Sequence, residues 1–471
     1  MVLGRRQFVG SGLVGLSTLG ATYVRASNQY SGSSKMHGEC ERMTPVVEDA
    51  DVIVCGGGPA GVAAALAAAR TGASVRLIEV NGCLGGVWTA GLLCWILDTK
   101  DKPGILVEIM DKLTRLGAGY QNGTSTLPYG YDPEIMKLIL EELCMEAGVN
   151  IRLHTRLVDA GLDENKRLKI AITESKSGRE AWRGKVFIDA TGDGDLAARA
   201  GCKYDMGREE DGHMQPFTMF AMITGVEYEQ IKEFVRGKEK NSGLTKKRLF
   251  DEIKKGGLSV SYRKPVLFRI YNDLYCLGIN HEYGYSGIDA NDVTQATLHA
   301  RKEIHQTVNA LRSLQGRWKN LKVVATNEQI GIREARRIHG HYTVSSNDLQ
   351  HGVSQKDSVC KVYFGVDVHP PKYDDGKTAS YNLGMRSKPY DIPLRALIAR
   401  DVDGLLTAGR CISGDFIAHS SYRVTGNSVA LGQAAGVTAA LAAQSDLLPQ
   451  HVEWEKIQKS LEKLNSTKTT L

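Results

Sequence analysis

Gly56, Gly58 and Gly61 stand in G-x-G-x-x-G spacing inside the stretch DVIVCGGGPAG, residues 51–61. Such a loop is suited to hold an anion: glycine lets the backbone turn tightly and bring bare N–H groups against a ligand, and the positive end of a following helix favours negative charge. The flanking residues supply that context. ADVIVC reads as a short apolar strand, PAGVAAALAAARTG as an Ala-rich helix stopped by Thr71 and Gly72, and SVRLIEV as a second strand ending on Glu79. A carboxylate about 20 residues past the loop is placed to accept the hydroxyls of an adenosine ribose. Gly56, Gly58, Pro59, Ala60, Gly61 and Glu79 are therefore candidate ligands of a dinucleotide, a requirement that NAD and FAD both meet.

Three further pieces favour FAD. Directly after Glu79, NGCLGGVWTAG forms a second glycine-rich loop, with Gly85 and Gly86 expected beside the same ligand. VFIDATGDGDLA places an apolar strand before Thr191, Gly192 and Asp193, in an A-T-G turn. Near the C-terminus, DGLLTAGRCISGD supplies a strand and a turn at Gly409, and a helix is expected to begin at Gly426, Asn427 and Ser428. The positive end of that helix suits the edge of an isoalloxazine where negative charge collects on reduction. A nicotinamide enzyme would need only the first piece. No second G-x-G-x-x-G follows, so an internal NAD(P)H domain is not expected.

These motifs, together with GYDPEIMKLILEELCMEAGVNIRLHTRL, GHMQPFTMFAMITGV, QIGIREARRIHGHYTVSSNDL, VDVHP and HSSYRVTGNSVALGQAAG, resemble FAD-dependent oxidoreductases related to the flavin subunit of heterodisulfide reductase, exported bacterial members included. The resemblance runs from about residue 50 to 445. It implies an α/β fold: a Rossmann-like FAD-binding lobe of the glutathione-reductase type, with an inserted α+β substrate or cap domain. The archaeal subunit also binds 4Fe–4S clusters through cysteine-rich segments. Here nine cysteines are scattered singly with no C-x-x-C, so no cluster is expected in this chain.

A flavin carries the electrons, so protein groups are left to position substrate and move protons. GRCISGDFIAHSSYR offers Arg410, His419 and Arg423 as catalytic candidates beside the expected flavin-edge helix. Histidine is the side chain that ordinarily changes charge near neutral pH, so a proton-shuttle role is expected of His419, and Arg423 is suited to an anionic substrate or reduced flavin. GIREARRIHGHY groups Arg333, Arg336, Arg337, His339 and His341; at helical spacing Arg333 and Arg337 share a face, for anion capture or for interface bonds. Asp367 and His369 in VDVHPP lack a third partner at metal spacing, so no metal site is expected. Cys83 has no second cysteine a few residues away and reads as structural.

Positioning these groups requires a discontinuous flavin lobe, residues 46–204 and 395–445, brought onto one mostly parallel sheet, with residues 205–394 inserted as the cap and 446–471 as a C-terminal tail. Within the insertion, KPVLFRIYNDLYCLGINHEYG alternates polar and apolar residues about Asn272 and Asp273, predicting a hairpin, and an amphipathic helix follows from DANDVTQ. Residues 1–26, with Arg5 and Arg6 ahead of a Gly- and Ser-diluted apolar run, resemble a twin-arginine signal, and 27–45 a polar tether. Export in folded form to the periplasm or beyond is expected, with the twin-arginine machinery as a partner. A small-molecule substrate and a redox partner protein are the other expected partners. The formal charge of +6 includes three arginines in residues 1–26 that no acid opposes, leaving +3 for the remainder. So small an excess, without a basic block, gives no footing for nucleic acid, and no stretch of the mature chain reads as a membrane span.

Overall fold

A computed structural model of the protein describes residues 42–121, 129–236, 242–372 and 383–466. The expected signal and most of the tether lie outside them. The apolar runs flanking the glycine loop become parallel strands Val46–Cys55 and Val75–Ile78. They form the middle of a seven-stranded sheet with Asn150–Arg152 on one side and the long strand Gly178–Asp189 on the other. The second edge of Gly178–Asp189 is shared. Its first half pairs antiparallel with Leu168–Ser175, which continues to Arg156–Leu162, and its last residues pair parallel with Leu405–Thr407. Residues more than 200 positions apart thus end at the same sheet margin, where α/β folds bind ligands.

Two helices cover one face of this sheet. Pro59–Arg70, with seven alanines among its 12 residues and fully buried along its middle, lies against Thr425–Ser445. Their backbones approach so closely that a Cβ at Gly432 would stand 2.0 Å from Ala60 O and one at Gly436 2.2 Å from Ala64 O. Small side chains on both helices permit this packing. Helix Pro133–Glu146 is capped by Asp132, whose carboxylate accepts from Glu134 N, with proline at its first position.

The inserted region builds its own core around a four-stranded antiparallel sheet in the order Val266–Tyr271, Leu274–Gly278, Phe220–Thr224, Lys322–Thr326. The hairpin expected about Asn272 and Asp273 forms, with Asn272 at φ 43° in the turn. The helix expected after it spans Ala290–Ser313, and Asp289 caps it by accepting from Asn291 N and Asp292 N. An aromatic contact joins the two regions: Trp95, from the flavin-lobe side, stacks on Phe268 at 3.8 Å and meets Phe220 edge-on at 5.2 Å.

One local expectation is corrected. The arginine-rich segment is not helical; Arg336–Ile338 is a strand paired antiparallel with Tyr204–Met206. A strand sends successive side chains to opposite faces. Arg336 therefore reaches Asp195 and the Asp193 carbonyl, while Arg337 turns inward to Glu334 and to the carbonyls of Gly207 and Gly414. Ile330, Ile332 and Ile338 with Gly331 and Gly340 suit an extended path better than a helix.

Replacing Gly436 by valine should destabilise the fold by about 3 kcal/mol through overpacking between the two helices. Urea denaturation followed by far-UV circular dichroism checks this, and an unchanged midpoint would show that the helices are free to separate.

Candidate active site

The strand end at Cys55 and the loop after it are held by hydrogen bonds to three separate stretches. Gly56 N donates to Ile78 O, Ala190 N to Cys55 O, and Gly85 N to Gly57 O. Gly56 takes φ 99°, and a Cβ on it would lie 2.4 Å from Ala190 O; one on Gly61 would lie 1.7 Å from Gly56 O. Glycine is required at both positions, for the turn and for close approach. Gly58 differs. A Cβ there would meet no protein atom within 4 Å, because the residue borders a cavity of about 910 Å³.

Glu79 is buried at this rim. Oε2 accepts from Gly57 N at 2.5 Å and Oε1 from Asn81 N at 2.7 Å and Asn81 Nδ2 at 2.8 Å. Burial pushes its carboxyl up, and the bonds from Asn81 and Gly57 oppose that shift. The carboxylate both stiffens the glycine loop and borders the cavity. On the opposite side, Asp189 builds the A-T-G turn. Its Oδ1 accepts from Thr191 N and Thr191 Oγ1, its Oδ2 from Ala197 N, and burial pushes its carboxyl up to about 6. Asp193, next along the turn, pairs with Arg410 Nη2 at 2.9 Å.

The cavity joins nearly all these pieces. Gly56, Gly58, Pro59, Ala60, Glu79, Gly86, Thr191, Gly192, Asp193, Gly409, Arg410, Arg423 and Ser428 line it. Gly61, Gly85, Gly426 and Asn427 do not: Gly61 closes the loop from beneath, Gly85 packs on Thr89, and Gly426 is pressed against the carbonyls of Leu97 and Asp98. Asn427 is buried, with Oδ1 3.6 Å from Cys360 Sγ. At that helix start the lining groups are Val424, Thr425 and Ser428. His419 also falls outside. It lies on the inner side of helix Phe416–Tyr422, edge-on to Tyr422 at 5.5 Å, and burial pushes its pKa far down. A wholly buried imidazole with no access to the cavity does not shuttle protons there.

The family model for FAD-dependent oxidoreductases matches residues 51–461. The chain belongs to that family. Among solved structures, it is similar to the flavin-dependent brominase Bmp2 in a triple-mutant form (15% identity, 88% of this chain and 84% of that one, TM-score 0.46). It is also similar to a geranylgeranyl bacteriochlorophyll reductase-like protein of Thermoplasma acidophilum (14%, 88% and 83%, 0.43) and to p-nitrophenol 4-monooxygenase PnpA of Pseudomonas putida (11%, 89% and 85%, 0.43).

The residues present fit FAD. Bare backbone at Gly58 faces the space a diphosphate needs, and the buried Thr425 Oγ1 and Arg410 Nη1 have no partner in the protein although both residues line the cavity. Trp95, Phe220, Phe268 and Val266 add an apolar wall. No group of three or more His, Cys, Asp or Glu placed to hold a metal occurs among the described residues. Cys83 is half-buried, its Sγ 3.6 Å from Thr89 Oγ1, and burial pushes its thiol up, which suits a packing role.

The same cavity continues into a polar end. Arg236, Lys246, Tyr262, Arg333, Asp367, His369 and Arg423 line it there. Arg423 Nη2 donates to Asp367 O at 2.9 Å and to Gln215 Oε1 at 3.2 Å, and Arg333 Nη1 to Pro216 O and Thr218 Oγ1. His369 Nε2 stands 3.3 Å from Asp367 Oδ2, and its buried Nδ1 has no partner. Tyr262 stacks on His281 at 4.0 Å, which meets His369 edge-on at 4.8 Å. Burial, with Arg333 adding to it, brings His369 down to about 4, so it is neutral at pH 7. Burial opposes ionisation of Asp367, but His369, Arg423 and Arg333 hold its carboxyl below the usual range. Sequence reading singled out Arg423 and set His369 aside for want of a third metal partner. It missed Arg236, Lys246 and Tyr262, which sit in no motif.

Changing Glu79 to alanine should weaken FAD retention by at least about tenfold, since a charge-assisted bond to Gly57 is lost with the ribose acceptor. Flavin released on gel filtration measures this; undiminished binding would remove Glu79 from the cofactor site.

Proposed function

We propose that the protein is an exported FAD-dependent dehydrogenase of a small organic substrate, with residues 205–394 serving as a cap over the cofactor. One observation carries this reading: the cavity bearing the flavin loops runs on without interruption into an end lined by titratable groups from the cap. When bound, FAD would supply the two-electron chemistry of hydride transfer at flavin N5. Backbone of residues 56–60, Glu79, the 191–193 turn, Gly409 and the helix start at Thr425 to Ser428 would hold it. Arg410, tied to Asp193, is suited to the cofactor's polar edge, and Arg423 to an anionic group of the substrate. The Asp367–His369 pair is suited to remove a proton. Asp367 accepts from Nε2–H, which leaves the lone pair on Nδ1 free to act as base.

Support for export is the Arg5–Arg6 pair ahead of a weakly apolar run. Support for kinship with the flavin subunit of heterodisulfide reductase is the ordered set of motifs from about residue 50 to 445. That kinship suggests a second reading, an electron-transfer subunit. Since the described cysteines are single and free, an iron–sulfur centre would then belong to a redox partner.

Purified holoprotein should show flavin absorbance near about 450 nm and bleach anaerobically when the right metabolite is added alone. Bleaching that demands a second protein favours the subunit reading. His369→Gln should slow that bleaching by about 10²-fold or more with FAD content unchanged; an unaltered rate would discard His369 as base. Replacing Arg5 and Arg6 together by lysine should leave the protein in the cytoplasm, read by cell fractionation, and normal delivery would refute twin-arginine export.

A further inference from the structure

The cationic groups at the polar end of the cavity have no charge partners of their own. Among the described residues, Arg236, Lys246, Arg333 and Arg423 form no ion pair with a carboxylate, whereas nearby Arg336, Arg337 and Arg410 each have one. The acid lining that end is Asp367, which leaves three positive charges unbalanced in a half-closed space. Glu334 does not alter this balance, because it is held by Arg337. Charges withdrawn from water need a counter-charge, and here the protein does not provide it.

The four cations fall into two pairs. Arg333 and Arg423 adjoin each other, Arg423 Nη1 lying 3.5 Å from Arg333 O, and Asp367 is joined to Arg423 through its backbone carbonyl. Arg236, seated over the Phe268 ring at 5.4 Å, and Lys246 form the second pair and, like Arg333, belong to the cap. Beside them Tyr262 and His369 line the cavity, in ring contact with each other and with His281 behind them. The site thus has two pairs of cations with one acid, Asp367, bonded to His369 and near both pairs.

We propose that this end of the cavity binds a small organic dicarboxylate, one carboxylate against Arg333 and Arg423 and the other against Arg236 and Lys246. The assignment rests on the dehydrogenase reading for its role as substrate, but the binding claim is independent of turnover. A planar guanidinium matches a carboxylate in two parallel bonds, and four cations against one acid favour a ligand with two negative charges over one with a single charge. Lys246 faces Arg236, Lys264 and Asp367; burial, then the two cations, bring it down to about 8. An anion is held by its protonated form, so affinity falls as pH rises through 8 and beyond.

Isothermal titration of the FAD-loaded protein with malonate, succinate and glutarate tests this against butyrate, succinamide and sulfate. At least one dicarboxylate should bind at least about tenfold more tightly than butyrate and than sulfate, and more weakly at pH 9.5 than at pH 7. Arg236→Gln and Arg333→Gln should each weaken it about tenfold, with absorbance near about 450 nm confirming an intact holoprotein. Binding of sulfate as tight as any dicarboxylate, equal binding of butyrate, or no binding by any dicarboxylate overturns the proposal. Flavin reduction is read separately in the same samples. Dicarboxylate binding without bleaching by any candidate upholds the site and counts against the dehydrogenase. Bleaching by a neutral metabolite with which dicarboxylates do not compete upholds the dehydrogenase and overturns the site.

Discussion

The contact between backbone carbonyls of helix Pro59–Arg70 and the bare Cα atoms of Gly432 and Gly436 governs the rest of the structure. It admits no side chain, so the C-terminal helix has one depth and one register against the first. That register sets where Thr425 and Ser428 emerge, at the rim of the same cavity as Gly56 and Gly58. Residues separated by about 370 positions are placed against one ligand by the shape of two alanine-rich surfaces, with dispersion and close packing supplying the adhesion.

Around this contact the polar groups divide by purpose. Acids near the flavin loops mostly have local partners: Glu79 braces Gly57 and Asn81, Asp189 shapes the turn at Thr191, and Asp193 meets Arg410. They fix the loop backbone at the cavity rim by accepting its N–H groups, which spares the binding step the cost of ordering a loop. At the far end the balance is opposite, with cations exceeding acids and His369 kept neutral. Such a contrast sets the two ends of one continuous space apart.

Local signals carried far. The glycine loop, the A-T-G turn and the hairpin about Asn272 were legible because each is specified by residues within a few positions of one another. The helical spacing of Arg333 and Arg337 misled, since pairing with Tyr204–Met206 overrode it and put Arg336 and Arg337 on opposite faces. His419 misled for a related reason. It stands close in sequence to the flavin-edge helix, but a seven-residue helix turns its ring into the core, while His369, some 50 residues earlier, reaches the cavity.

By itself the sequence determined that a dinucleotide-binding strand, loop and helix would form, that Glu79 would sit at its rim, and that several dispersed loops suited a flavin. Those features depend on glycine's freedom, on apolar periodicity and on helix ends, all of which act over short stretches of chain. Only the tertiary structure decided which charged side chains share a space. Arg236, Lys246, Tyr262, Arg333, His369 and Arg423 come from separate elements with no common motif. Their electrostatics depend on distance and burial in three dimensions, which spacing along the chain does not encode.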